Sequence, residues 1–320
     1  MKNDASLILM AYPDVFVRPS TEYICKILPY LGVGTKDAIK AGHAALCLVN
    51  HTTGNVDYFD FGRYITPQGK GRVRSKKTDT ELHVPLRAHI EKGVITNIKE
   101  ILQWLYNHPE KTHGDGKLVA TVSQNINSQK ARQYIENLHN KGSVEYGVFV
   151  KNGSNCARFV AETLLHGTTN KKIRRGIEKT LTITPSPLGI IRKGTSSGKI
   201  YTIDENGIQI TEKISRRKNL FTFLHRKKHT TEKEIVRVKN TQLLRGTGSS
   251  AQFNIEKESG NTYIITRYNE QGQRDCSGLF TPKEEGFDMS NDFHFIYDSN
   301  CHHAHIQQSG KVYTFIKKQS

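Results

Sequence analysis

The sequence predicts an α+β fold in two parts, an α+β domain over residues 1–185 and a smaller, mostly-β domain over 186–320. Up to about residue 183, strand-length apolar runs alternate with segments of helical periodicity. Beyond it, short alternating runs are separated by Gly and Asn turns, and no long helical pattern follows residue 190. Between the two textures, "ITPSPLG" (183–189) carries two prolines and a glycine, the composition of a connection. With 320 residues, 36% apolar and 24% charged, the chain is long enough for two cores and reads as folded.

The elements follow in order. "ASLILMAY" and "GHAALCLVN" read as strands, and "NVDYFDFGRY" as a third. "HTTG" joins the last two, its glycine suiting the left-handed position of a hairpin turn. "ITNIKEILQWLYNHP" (95–109) is an amphipathic helix ended by Pro109, with Ile98, Ile101, Leu102, Trp104 and Leu105 packing on the core. "NSQKARQYIENLHNKG" (127–142) is a second helix, ended by Gly142. "KNGSNCARFVAETLL" (151–165) is a third: Phe159, Val160, Leu164 and Leu165 recur at helical spacing, and Ser154 or Asn155 caps the first turn. After the boundary, "GKIYTIDENGIQITEKI", "AQFNIEKESGNTYIITRYNEQGQ" and "HAHIQQSGKVYTFIKK" read as hairpins.

Charge is concentrated. Residues 151–240 hold 20 basic and 7 acidic side chains, +13 of the chain's net +17. "KKIRRGIEK", "SRRKNLFTFLHRKKH" and "EIVRVKN" form a basic belt over 171–239, suited to a polyanion met through charge. No zinc-finger, RNP or helix-turn-helix spacing points to sequence-specific nucleic-acid recognition. The five cysteines, Cys25, Cys47, Cys156, Cys276 and Cys301, lack paired spacing, as reduced cytoplasmic thiols would. The N-terminal apolar run is too short for a signal-peptide core and no segment is long enough to span a membrane. A cytoplasmic protein is expected, with delivery by another route left open.

Chemistry centres on Cys156. A thiol in the first turn of a helix feels the positive end of the helix dipole, which favours the thiolate. A nucleophile also needs a base. His43 opens a buried-looking strand, and the next strand carries Asp57 and Asp60, either of which could orient the imidazole. The two face opposite ways on a strand, so at most one meets His43. Asp60 is favoured, because it lies as far beyond the turn as the partner of residue 45 or 46.

"GHAALCLVN…GNVDYFDFGRY" followed by "NGSNCARFVAETLL" resembles the permuted branch of the NlpC/P60 papain-like superfamily, in which the histidine strand precedes the cysteine helix. Within that branch it is most similar to a bacterial family bearing "YFDFGRY" and "GRVRS" segments. The resemblance covers roughly residues 6 to 165. It implies a permuted papain-like domain with Cys156 as nucleophile, His43 as base and a polar third residue from the next strand. The implied chemistry is hydrolysis or acyl transfer at a peptide, amide or ester bond, with no cofactor. Many peptidoglycan-cleaving members are exported, whereas this chain shows no export signal.

Arg72 and Arg74 share one side of an extended segment and are candidates to hold a substrate carboxylate or phosphate. The backbone N–H of Cys156 is the expected oxyanion donor, helped by Asn155 or Tyr12. In "SNCHHAH", Cys301, His303 and His305 would share a strand face, but a zinc site needs a fourth ligand and a fixed outer shell, so no metal is expected. The alternative to an enzyme is a non-catalytic binding protein whose basic belt recruits a polyanion.

Overall fold

The computed structural model describes residues 3–17, 39–147, 150, 152–182, 184–212 and 234–318. In chain order the first unit begins with β1 (Ala5–Tyr12), β2 (His43–Asn50), β3 (Asn55–Gly62), β4 (Lys70–Ser75) and β5 (His83–Arg87). The short pair β6 (Ile90–Glu91) and β7 (Val94–Ile95) leads to helix α1 (Ile98–Tyr106) and the single turn α2 (Pro109–Thr112). Then come β8 (Leu118–Ile126), α3 (Ser128–His139), β9 (Val144–Glu145), α4 (Cys156–Gly167), α5 (Lys171–Leu181) and α6 (Pro187–Gly194). The hairpin β10 (Ile200–Asp204) and β11 (Gly207–Thr211) completes the unit.

These strands form one antiparallel sheet in the order β11-β10-β8-β1-β2-β3-β4-β9, with β5 also pairing β3. Strand β1 is buried along its whole length, which explains its unbroken apolar sequence. Its alternate residues enter two cores. Leu7, Leu9 and Ala11 pack with Phe159 and Leu164 of α4, Ile173 and Ile177 of α5, and Ile190 and Ile191 of α6. Ile8, Met10 and Tyr12 face the opposite layer, where α1 supplies Ile98, Ile101, Leu102 and Leu105. The β2–β3 hairpin turns at Gly54 with φ +68°, and the Asn50 side chain accepts the Thr52 and Thr53 N–H groups.

The expected boundary near residue 185 is displaced. Pro187 is not part of a linker but the first turn of α6, capped by the Ser186 hydroxyl, which accepts the Gly189 N–H. The end of α6 lies so close to β1 that a Cβ on Gly194 would stand 2.3 Å from Leu9. The β10–β11 hairpin, assigned to the second part from its texture, instead extends the first sheet through β8. The division therefore falls after residue 211, not at 185.

The second unit contains β12 (Gln242–Leu244), β13 (Ala251–Ser259), β14 (Thr262–Tyr268), β15 (Arg274–Pro282), β16 (His294–Ile296), β17 (His303–Gln308) and β18 (Lys311–Lys317). They form a sheet in the order β12-β13-β14-β15-β18-β17-β16. Its two edges meet through Gln242, whose side chain donates to the Phe293 carbonyl and accepts the Phe295 N–H. Phe253, Ile265, Phe280, Ile306 and Phe315 fill its core, together with Ile65 from the first unit. The α+β domain followed by a small β domain is thus the observed fold class.

Two further expectations meet the structure here. The reduced state expected for all the cysteines is corrected: Cys276 on β15 is disulfide-bonded to Cys301, their Cα atoms 6.0 Å apart, while Cys47 and Cys156 are free. Pairing β15 with β18, and β18 with β17, brings together residues that sequence spacing leaves unrelated. The basic stretch 215–229, and Cys25, lie outside the described residues. Among the described residues no helix is long and apolar enough to cross a membrane.

Candidate active site

The N-terminus of α4 meets the start of β2. Asn155 caps the helix: its side-chain oxygen accepts the Arg158 N–H, and Cys156 is the first helical residue. The Cys156 thiol hydrogen-bonds the His43 imidazole, the Tyr146 hydroxyl and the backbone N–H of Ala44. His43 Nε2 stands 3.4 Å from Asp60 Oδ2. The β2–β3 register sets Asp60 opposite Ala45, with Asp60 on the His43 side of the sheet. Asp57 pairs instead with Lys76 at 2.7 Å and Arg132 at 2.9 Å. The structure therefore gathers Cys156, His43 and Asp60 at one place and leaves Asp57 out.

All three side chains are shielded from water: Cys156 is 8% exposed, His43 6% and Asp60 0%. Burial alone would keep the imidazole neutral, but the hydrogen bonds to Asp60 and Cys156 outweigh it and lift His43 from 6.5 to about 9. Burial likewise pushes the Cys156 thiol up, yet the hydrogen bond and charge of His43 hold it below its ordinary value. Burial works against the Asp60 carboxylate too, and the Arg74 charge overrides it, holding its pKa far below the usual range. The arrangement shifts Cys156 toward the thiolate and His43 toward the imidazolium, with the Asp60 carboxylate beside the imidazole. Cys47 behaves oppositely: burial drives its thiol well up, with no cationic partner.

Arg72 and Arg74 are not substrate binders. Both are buried, 4% and 2% exposed. Arg72 grips Asp79 with two bonds of 2.7 Å. Arg74 donates from Nε to Asp60 Oδ1 at 2.9 Å and from a terminal nitrogen to Oδ2 at 2.5 Å. Neither guanidinium faces solvent, because each serves a buried carboxylate that would otherwise stand unpaired. Asn155, the expected side-chain oxyanion donor, already donates from its amide nitrogen to the Gly147 carbonyl at 3.0 Å while its oxygen caps the helix.

Several contributors were missed in the sequence. Tyr58 donates to Asp60 at 3.2 Å. The Arg74 guanidinium lies 3.8 Å over the Tyr64 ring. Tyr146 reaches both the sulfur and the backbone N–H of Cys156. Arg74 was findable: it sits directly opposite Asp60 across the β3–β4 ladder, so a charge on a buried face had its counter-charge on the next strand. In the β unit the His303 ring lies 4.9 Å from that of His302 and 6.0 Å from that of His305, yet their nitrogens form no metal-ligand group. Among the described residues, the one group of metal-type ligand atoms in mutual reach is Asp275, Cys276 and Cys301, and its two sulfurs are bonded to each other.

One antiparallel sheet covered on both faces, with a helix-borne cysteine against a strand-borne histidine, defines an α+β protein with a candidate thiol site. Residues 7–173 match the family model described as type VI secretion system effector TseH-like, and the chain belongs to that family. Residues 241–318 match a second model, the DUF6695 C-terminal domain. A crystal structure titled type VI secretion system effector TseH is similar at 18% identity and a TM-score of 0.43, covering 66% of this chain and all of that one. No curated protein matches the chain.

Proposed function

We propose that this chain is a delivered hydrolytic effector that cleaves a peptide, amide or ester bond by thiol chemistry on a permuted papain-like framework. The observation that carries the reading is the buried line Cys156–His43–Asp60 at the start of α4. The Cys156 thiolate attacks the carbonyl carbon, and the His43 imidazolium passes its proton to the leaving group. The acyl group then rests on Cys156 as a thioester. His43, now neutral, takes a proton from water, the hydroxide displaces the thiolate, and the site returns to its starting state. An amine in place of water would make the same site an acyltransferase. Asp60 keeps the imidazole oriented and supports its charge, as an acceptor on the far nitrogen does in related triads. Family membership supports delivery rather than a resident cytoplasmic role.

Iodoacetamide labelling of the intact chain, followed peptide by peptide, tests the assignment. Cys156 is expected to react faster than Cys47 near neutral pH, and His43→Ala to slow it. Equal labelling of the two thiols, or indifference to His43→Ala, would overturn the reading.

A further inference from the structure

Two of the places where the β unit meets the other unit lead to the groups around Asp60. The first is Arg267 of β14, 1% exposed although it carries a full charge. It donates to Asp275 of its own sheet at 2.9 Å, and to Asp79 at 2.9 Å, Glu81 at 3.0 Å and the Thr78 carbonyl at 3.3 Å in the segment after β4. Asp79 is at the same time the partner of Arg72, whose Nε donates to the Tyr64 carbonyl at 2.9 Å. The Cys276–Cys301 disulfide lies beside this junction, and the Cys301 N–H donates to the Thr78 carbonyl at 3.0 Å.

The second place is the chain at 63–65. Ile65 N–H donates to the Ser249 carbonyl at 2.9 Å, and Gly248 N–H to the Arg63 carbonyl at 2.8 Å. Ile65 adopts φ +52°, a conformation that costs a β-branched residue energy and persists only when its surroundings impose it. Its surroundings are those of the β unit, in whose core its side chain is buried. The preceding residue is Tyr64, whose ring covers the Arg74 guanidinium.

Both contacts thus converge on the same pair. Tyr64 is held at its carbonyl by Arg72, its neighbour Ile65 is held by Ser249, and its ring closes over Arg74, the residue that grips both oxygens of Asp60. A surface connector would show exposed, water-screened pairs worth little. A desolvated arginine with three carboxylate partners, joined to a strained buried isoleucine, fixes geometry instead.

We propose that the C-terminal β unit is a structural part of the reacting site, and that Arg267 is a positioning residue: through Asp79, Arg72 and Tyr64 it holds Arg74 against Asp60 and so fixes His43 beside Cys156. The proposal rests on the thiol reading of that site. It assigns the β unit a role within the chemistry rather than one of carrying the protein to a target.

The test uses the full chain and two readouts, the thermal midpoint and the pH profile of Cys156 alkylation by iodoacetamide. Arg267→Met is expected to move the rise of Cys156 reactivity upward by about one pH unit, about tenfold in rate on the acid side. Arg267→Lys, which keeps the charge but loses the fork, is expected to recover part of that shift. Ile306→Val, a change in the β core away from the junction, should lower the midpoint and leave the profile alone. A folded Arg267→Met chain with the wild-type profile overturns the proposal. If Arg267→Met yields no soluble protein, Arg267→Lys and Glu81→Gln decide: a smaller upward shift supports it, and an unchanged profile in both overturns it. Slow Cys156 labelling in the unaltered chain would instead strike the thiol reading itself, so the two failures are distinguishable.

Discussion

Replacing Asp60 by Asn removes one negative charge from a site where burial leaves no water to compensate. The carboxylate accepts from Arg74 at 2.9 and 2.5 Å and from Tyr58 at 3.2 Å, and faces His43 at 3.4 Å. The lift of His43 from 6.5 to about 9 corresponds to about 3 kcal/mol in favour of the imidazolium. Asp60 and Cys156 share it. If Asp60 supplies half, its neutral analogue weakens the thiolate–imidazolium pair about tenfold. Cys156 alkylation near neutral pH should then slow about tenfold, its rise moving toward the ordinary thiol range. The same change strands Arg74 without its counter-ion, an expected loss of about 3–5 kcal/mol in stability. Labelling is therefore measured well below the thermal midpoint, on protein shown to be folded by circular dichroism. The linkage has a definite sign. The stability from His43 is fully present below pH 6.5 and is lost as pH rises through about 9, whereas that from Asp60 is present above about 3.8 and is lost as pH falls. A folded Asp60→Asn chain that alkylates Cys156 at the wild-type rate across this range would refute the electrostatic account of the site.

Other perturbations give equally direct outcomes. A chain ending at residue 185 lacks α6, β10 and β11, and is expected to show no cooperative melt, whereas Ile190→Ala in the full chain should cost about 2–5 kcal/mol by chemical denaturation. Replacing Cys276 and Cys301 together by Ala should lower stability by about 2–4 kcal/mol, read as a fall in the denaturation midpoint that reductant reproduces in the unaltered protein. Lys171, Lys172, Arg175 and Lys179 are exposed on α5 while Ile173 and Ile177 anchor it, so retention on heparin should fall steeply with salt. Reversing these four charges to Glu should abolish that retention, and full retention would place the contact elsewhere.

Strands β1 to β3 and the placing of Cys156 and Asp60 on their elements were legible because local signals set them. A cap residue places the cysteine at a helix start, and a glycine-closed hairpin places Asp60 opposite Ala45. What escaped depends on partners distant in the chain. Arg72 and Arg74 read as free to hold a substrate anion until Asp79 and Asp60 are brought against them. The β10–β11 hairpin carries its own turn but no mark of which sheet it joins, since pairing with β8 is a tertiary choice. Pro187 could be a linker residue or the first residue of a helix, and the Ser186 cap before it was the signal for the second.

The order of the first sheet also bears on how the protein acquires its reactivity. Strand β1 pairs with β8 across more than a hundred intervening residues, and β8 then receives β10 from further along still. Closing loops of that length carries an entropy penalty that must be met before the pairing rewards it, so such sheets form slowly, after local hairpins such as β2–β3. His43 travels with the early hairpin, while Cys156 joins it only when α4 docks on the assembled face. In a refolding time course, far-ultraviolet signal should therefore return first and rapid Cys156 alkylation last. The unfolded chain carries an ordinary thiol. On the proposed reading, a reactive Cys156 exists only as a property of the finished fold.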